Sequence, residues 1–279
     1  MINKLLGLPE HPLSIFLTLS VGGLLLFFAL AGLSYRIFFV RARARFHPDY
    51  RPDPAEIREA IRWSIIAVLG NAALIAPIHY LLATGHGRLY VDVGEHGWAW
   101  LGFSAGLMLL ASETMIYWVH RALHWGPLYR HVHDKHHAFK VPTPYVGLAF
   151  RPLDAFFQGL PHHILAFVLP IHIGLYVVSL AFVTVWAVMI HDRISFVRWK
   201  GINFTGHHTL HHWYENYNFG QYFTVWDRLM GTYRDPEVAW ADIPPGIVVR
   251  AQDVMRKRGA VVGDAAGRNL AVGGGLGDD

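Results

Sequence analysis

Apolar residues gather in long runs separated by short polar stretches. The first run covers about residues 12 to 40, enough to cross a hydrocarbon layer of ~30 Å as a helix. It exceeds the apolar core of a secretory leader, and its arginines, Arg41, Arg43 and Arg45, follow it rather than precede it, so it reads as a retained span. A second run covers about residues 61 to 83, set apart by the Pro-rich charged segment 51 to 56, and a third about 98 to 119. The fourth, about 153 to 190, is too long for one crossing and is broken at Pro170, which predicts two short helices in a hairpin. The pattern predicts an all-α, polytopic transmembrane protein with about four to five membrane helices. Residues 1–100 form the N-terminal spans, 101–235 the segment richest in reactive side chains, and 236–279 a C-terminal segment. From Gly259 to Asp279 that segment is Gly/Ala-rich without periodicity, as a mobile tail is.

Composition agrees with a membrane class: 53% of the 279 residues are hydrophobic and only 16% charged. The formal charge of +4 raises nucleic-acid binding as a function, but the basic residues sit in short clusters beside apolar runs, as residues that fix membrane orientation do. No nucleic-acid partner is expected. Placing Arg41, Arg43, Arg45, Arg121, Arg130, Lys135, Arg198 and Lys200 on one side requires the 153–190 hairpin to cross and return, and the positive-inside rule makes that side cytoplasmic. The absence of cysteine excludes disulfides, thiolate metal sites and a cysteine nucleophile.

Histidine changes the picture. The chain holds 19, of which 14 lie between His120 and His212. His120 and His124 share a helical face where the third apolar helix ends. His133, His136 and His137 form a second group with i, i+3 and i, i+4 pairs, and His208, His211 and His212 repeat that offset. So many buried polar rings in a membrane chain are costly unless a metal pairs them. Eight or nine nitrogens exceed one tetrahedral zinc and match two metal ions with open positions, although imidazole also suits zinc, copper and nickel. His191 ends an apolar helix on the same side. Asp134 and Asp227 are candidate acceptors for imidazole N–H groups, and Glu113 lies two turns before His120.

HxxxH, HxxHH and HxxHH in this order on a membrane chain resemble the fatty acid hydroxylase/sterol desaturase superfamily. The stretches 117–124, 142–145, 158–163, 189–192 and 216–233 resemble its sterol C-5 desaturase branch, over about residues 110 to 235. The resemblance implies a cytosolic histidine-rich helical cap in which His120, His124, His133, His136, His137, His208, His211 and His212 ligate two irons, with His191 a further ligand beside Asp192. It implies O2 as co-substrate, electrons from a separate carrier, and desaturation of a sterol-like lipid. Hydroxylation of a fatty acyl chain, a carotenoid or a hopanoid is the alternative reaction, and a metal-binding membrane scaffold the alternative without catalysis. No haem segment or glycine-rich dinucleotide fingerprint is visible, so a cytochrome b5-like protein, or a ferredoxin with its reductase, is the expected donor. The basic face that includes Arg121, Arg130, Lys135, Lys140 and Lys200 is its expected dock. His207 is expected behind the ligands rather than among them, as is His163, whereas His172 belongs near the hairpin turn. Arg151 stands where the branch has a histidine that lines or supports the site, a departure that concerns the substrate and not the identity of the ligands; Arg151 and Asp192 are also expected behind the ligands. The composition points to a bacterial inner membrane, or to the endoplasmic reticulum in a eukaryote.

Overall fold

The computed structural model describes residue 3 and residues 7–48, 50–194 and 199–236. Arg198 and the expected tail beyond Pro236 lie outside the described residues. Seven helices carry the argument. They are α1 (Pro12–Arg41), α2 (Pro54–Ala83), α3 (Gly97–Leu123), α4 (Pro152–Val168), α5 (Ile173–Ile190), α6 (Thr205–Tyr214) and α7 (Val225–Leu229).

Local chemistry sets their ends. The Asp53 carboxylate accepts from the N–H groups of Ala55 and Glu56, and Pro54 occupies the first helical position, where its missing N–H costs nothing. The charged segment that separates the first two apolar runs is therefore a helix start, and α2 begins before its apolar stretch does. Its first turns are polar, and Glu59 there meets Lys135 at 3.5 Å.

Among the described residues four helices, α1, α2, α3 and α5, are long and apolar enough to cross a membrane. The protein is an integral membrane protein. Leu13, Leu17, Val21 and Leu25, spaced four apart on α1, are all exposed, as a lipid-facing stripe is. Trp98 and Trp118 are exposed near the two ends of α3. Their twenty-residue separation is ~30 Å of helix, the thickness of a hydrocarbon core, which suits rings at its two interfaces.

The 153–190 run folds as the expected hairpin. α4 and α5 are joined through Leu169 and Pro170, and at the turn Ile171–His172 (β2) pairs in parallel with Leu89–Tyr90 (β1). These two-residue strands are the departure from an all-α chain, and they tie the hairpin turn to the α2–α3 connection. His172 lies there, with its Nε2 donating to the carbonyl of Val91 at 2.8 Å, so it is far from the histidine boxes in the chain's own architecture.

α1 packs on α2, α2 on α4, and α4 on α3, while α5 packs on the turn Pro144–Leu148. Gly147 makes that last approach possible, because a Cβ there would lie 3.0 Å from the Cα of Val188. The C-terminal ends of α3 and α5 and the N-terminal end of α4 thus meet the 129–137 segment and α6 at one level, the histidine cap. With no native cysteine, single cysteines report this topology directly. In sealed oriented vesicles, Val91→Cys and Arg130→Cys are expected to react with an impermeant maleimide from opposite sides; labelling from the same side would refute the arrangement.

Candidate metal centre

Nine imidazoles collect into two groups, each with ligand atoms within 4.8 Å of one another. His120, His124, His133, His137 and His211 form one, and His136, His191, His208 and His212 the other. Helical spacing explains the assembly. His120 and His124 occupy the last turn and C-cap of α3, and His191 is the C-cap of α5. A π-helical turn, Tyr129–His133, runs into the short helix Asp134–His137 and presents His133, His136 and His137 together. On α6, His208, His211 and His212 share a face, and every residue from Thr205 to Trp213 is buried.

Backbone and carboxylate acceptors decide which nitrogen faces inward. A carbonyl only accepts, so His120 donates through Nδ1 to Phe219 at 2.9 Å, His211 to Tyr217 at 2.7 Å and His191 to Ala187 at 2.5 Å. His133 donates Nδ1–H to Asp154 Oδ2 at 2.8 Å, both side chains being fully buried. In all four rings Nε2 is left as a lone pair aimed at the group, the arrangement that prepares an imidazole for a metal. His191 Nε2 lies 2.9 Å from His208 Nε2, 3.2 Å from His212 Nε2 and 3.3 Å from His136 Nε2. His133 Nε2 lies 3.0 Å from His137 Nε2. Two nitrogens bound at about 2.1 Å to one ion lie about 3.0 Å apart at a right angle and about 3.4 Å apart at the tetrahedral angle. The observed spacings match that range. His124 Nε2 and His211 Nε2 are buried without a hydrogen-bond partner, which a bound cation remedies. Burial also holds His124, His136, His137, His208, His211 and His212 well below the ordinary imidazole pKa, and His191 at about 4, so the rings are neutral ligands at pH 7.

A cavity of about 260 Å³ meets both groups. His120 from one and His136, His191 and His208 from the other line it, and its remaining wall is largely apolar, including Leu26, Ile75, Ile116 and Val183. The imidazole groups therefore close one end of an apolar chamber set among the spans.

The family described as fatty acid hydroxylase matches residues 105–232. Human lathosterol oxidase is 35% identical over 232 residues, which are 81% of this chain and 77% of that protein. The Delta(7)-sterol 5(6)-desaturase of Schizosaccharomyces pombe is 38% identical over 224 residues, 80% and 68% of the respective chains. The chain belongs to the fatty acid hydroxylase family. No solved structure matches it. Membership and the clustered histidines together support an oxidoreductase and fit iron binding.

In this fatty acid hydroxylase family chain most of the residues expected to stand behind the ligands fall elsewhere. Asp134 turns away from the imidazoles and accepts from Arg151 Nε at 3.0 Å, with the Arg151 guanidinium over Trp63. Asp192 accepts from the N–H of Ile194 and holds the chain after α5. His163 lies among the spans against Tyr176. His207 precedes the ligand face of α6, belongs to neither group, and contacts Tyr233 at 3.4 Å. Asp227 acts at one remove: it accepts from the N–H groups of Phe219 and Gly220 and from Thr232, and so holds the Phe219 carbonyl that orients His120. Glu113 reinforces the same loop from α3 by accepting from the N–H of Tyr222 at 2.7 Å. Gly220 is required there, since a Cβ would lie 2.2 Å from the Phe223 carbonyl.

One functional residue was not singled out by the sequence, and another was placed on the wrong surface. Asp154 is the carboxylate that fixes His133, and its signal was an acid at the start of an apolar helix. Lys140 is buried rather than part of a basic face; it donates to the His212 carbonyl at 3.1 Å and pairs with Glu215, joining the second box to the third. Asp154→Asn removes the anionic acceptor of His133 at constant size. It is expected to weaken metal retention by about 10- to 100-fold, measured as bound metal after dialysis against graded chelator; wild-type retention would mean that Asp154 does not position His133.

Proposed function

We propose that the chain is a membrane di-iron oxidoreductase that uses O2 and external electrons to desaturate a sterol-like lipid at the ring bond named in its relatives, C-5(6). The observation that carries this reading is the convergence of two imidazole groups on one end of an apolar cavity within the spans. The relatives named lathosterol oxidase and Delta(7)-sterol 5(6)-desaturase supply the substrate class.

His120, His124, His133, His137 and His211 would hold one iron, and His136, His191, His208 and His212 the other. Bound there, two irons supply the oxidation by which a CH–CH unit, O2, two electrons and two protons become an alkene and two waters. The protein's share is position and dryness. The carbonyls of Phe219, Tyr217 and Ala187 and the carboxylate of Asp154 lock four imidazoles before substrate arrives, so little reorganisation is needed. Apolar walls from Ile75, Ile116 and Val183 exclude water and hold a rigid lipid so that one C–H bond faces the imidazole end.

Electrons arrive at the cap from a separate carrier of the cytochrome b5 or ferredoxin kind. Arg130 is exposed and Lys135 lies partly open beside Glu59, so the surface for an acidic carrier is smaller than the sequence suggested, Lys140 being buried. The basic residues that border α1 and α3 support a cytoplasmic cap.

Purified protein is expected to carry about two irons per chain and, with a reductant and O2, to convert lathosterol into the conjugated 5,7-diene, followed by its absorbance and by mass. A product gaining one oxygen without loss of hydrogen would establish the hydroxylase reading instead. His136→Ala is expected to lose iron from the group of four and to abolish turnover. Unchanged iron content and activity in that variant would exclude the di-iron reading.

A further inference from the structure

The loop that orients His120 reaches deeper than the cap it serves. Trp118 suits the interface ring of α3, and Glu113 lies five residues from it toward Trp98, ~7.5 Å further into the span. At that depth Glu113, 1% exposed, accepts from the Tyr222 N–H. On α5 the Trp186 indole donates to the Gln221 carbonyl at 2.7 Å. The Tyr222 ring lies 5.4 Å from that of Phe182, which is eight residues, ~12 Å of helix axis, before the helix ends at Ile190. α7 follows the same course, since Trp226 donates to Thr114 Oγ1 at 3.0 Å and meets the Trp118 ring at 6.0 Å. Residues 219–226 therefore stand between α3 and α5 at the level of the spans, although they do not cross.

Two independent features suit that place. Irregular backbone is tolerated at membrane depth only where its polar groups are paired within the protein. Here the N–H groups of Phe219 and Gly220 donate to Asp227, and that of Tyr222 to Glu113. The carbonyls of Phe219, Gly220, Gln221 and Tyr222 accept from His120, the Asn203 amide, Trp186 and the Asn203 N–H. The outer face is apolar. Val225 and Leu229, one turn apart on α7, are 48% and 65% exposed, and Met230 is exposed beside them. Arg228, the charge among them, turns back to the protein, donating to the Lys200 carbonyl at 3.0 Å with its guanidinium over the Tyr233 ring. Through Trp226 and the exposed Trp118, this face continues the lipid-facing surface of α3.

We propose that residues 219–230 form a segment inserted in the bilayer leaflet nearest the cap, with Val225, Leu229 and Met230 against its acyl chains. The partner of this surface is the membrane itself and not a soluble protein. The chamber is affected too. Gln221 lines it together with Ile116 of α3 and Thr184 and Ala187 of α5, so the segment that meets lipid on its outer side walls the chamber on its inner side. The Phe219 carbonyl that orients His120 is thereby part of a stretch seated in lipid. None of this depends on which lipid is oxidised or on how.

With no native cysteine, single probes can be read without background. Leu229→Cys and Val225→Cys, each labelled with the fluorophore NBD, are reconstituted as the full chain in phosphatidylcholine vesicles. Leu17→Cys, on the lipid-facing stripe of α1, and Arg130→Cys, on the exposed cap, are the references. Two quenchers are compared: phosphatidylcholine spin-labelled high on its acyl chain, and iodide present on both sides of the vesicle. Both test probes are expected to emit to the blue of the Arg130 probe, to be quenched by the labelled lipid as strongly as the Leu17 probe, and to be quenched by iodide several-fold less than the Arg130 probe. Strong iodide quenching with no lipid quenching would place the segment in water and overturn the proposal. Resistance to both quenchers would mean that protein covers the face, and would overturn it equally. Should one of the two variants fail to fold, the other decides alone.

Discussion

Nitrogen lone pairs facing one another at about 3 Å in a buried, neutral site repel, and nothing in a protein's own side chains but a proton relieves that. Protonation is opposed by the same burial, since a charged imidazole in a dry site must surrender its hydration. A cation between the rings resolves both problems at once. Much of the architecture follows from keeping that place available. The C-terminal ends of α3 and α5 and the N-terminal end of α4 must arrive at one level, α6 must be buried from Thr205 to Trp213, and four of the imidazoles are given an outward partner that fixes the tautomer.

Those outward partners are mostly main chain. The Phe219 and Tyr217 carbonyls come from a loop held by Asp227 and Glu113, and the Ala187 carbonyl comes from α5 itself. A loop used in this way has to be rigid, which is why buried carboxylates are spent on its N–H groups and why Gly220 admits no side chain. The Lys140–Glu215 pair does the corresponding work on the other side of α6, where Glu215 ends the helix in a left-handed conformation.

The spans, the hairpin at Pro170 and all nine inward-facing histidines were legible in the sequence, because hydropathy and ligand spacing are local properties of a chain. What stands behind the ligands was not. Asp134 and Asp192 adjoin ligands in sequence, yet a helix sends neighbouring side chains to different faces, so they serve Arg151 and the Ile194 N–H instead. Asp154 is twenty-one residues from His133 and reaches it only because α4 folds back along the cap. His207 follows the same rule: one residue from His208 is about 100° around the helix, and His207 belongs to neither imidazole group. Lys140 looked like surface charge because nothing local marks a lysine as buried. The two-residue strands at the far turn carry no pattern that such short segments could show.

The chamber is built from two sources. Its imidazole end comes from the segment that the family shares, residues 105–232, whereas Leu19, Leu26, Val68, Asn71 and Ile75 come from α1 and α2, outside it. The rest of the wall, including Ile116, Phe150, Leu180 and Val183, comes from the shared segment as well, so the chamber's shape is set by both parts of the chain. Changes in the first two helices can nevertheless reshape one wall of the chamber without touching an imidazole of either group or the acceptors that orient it.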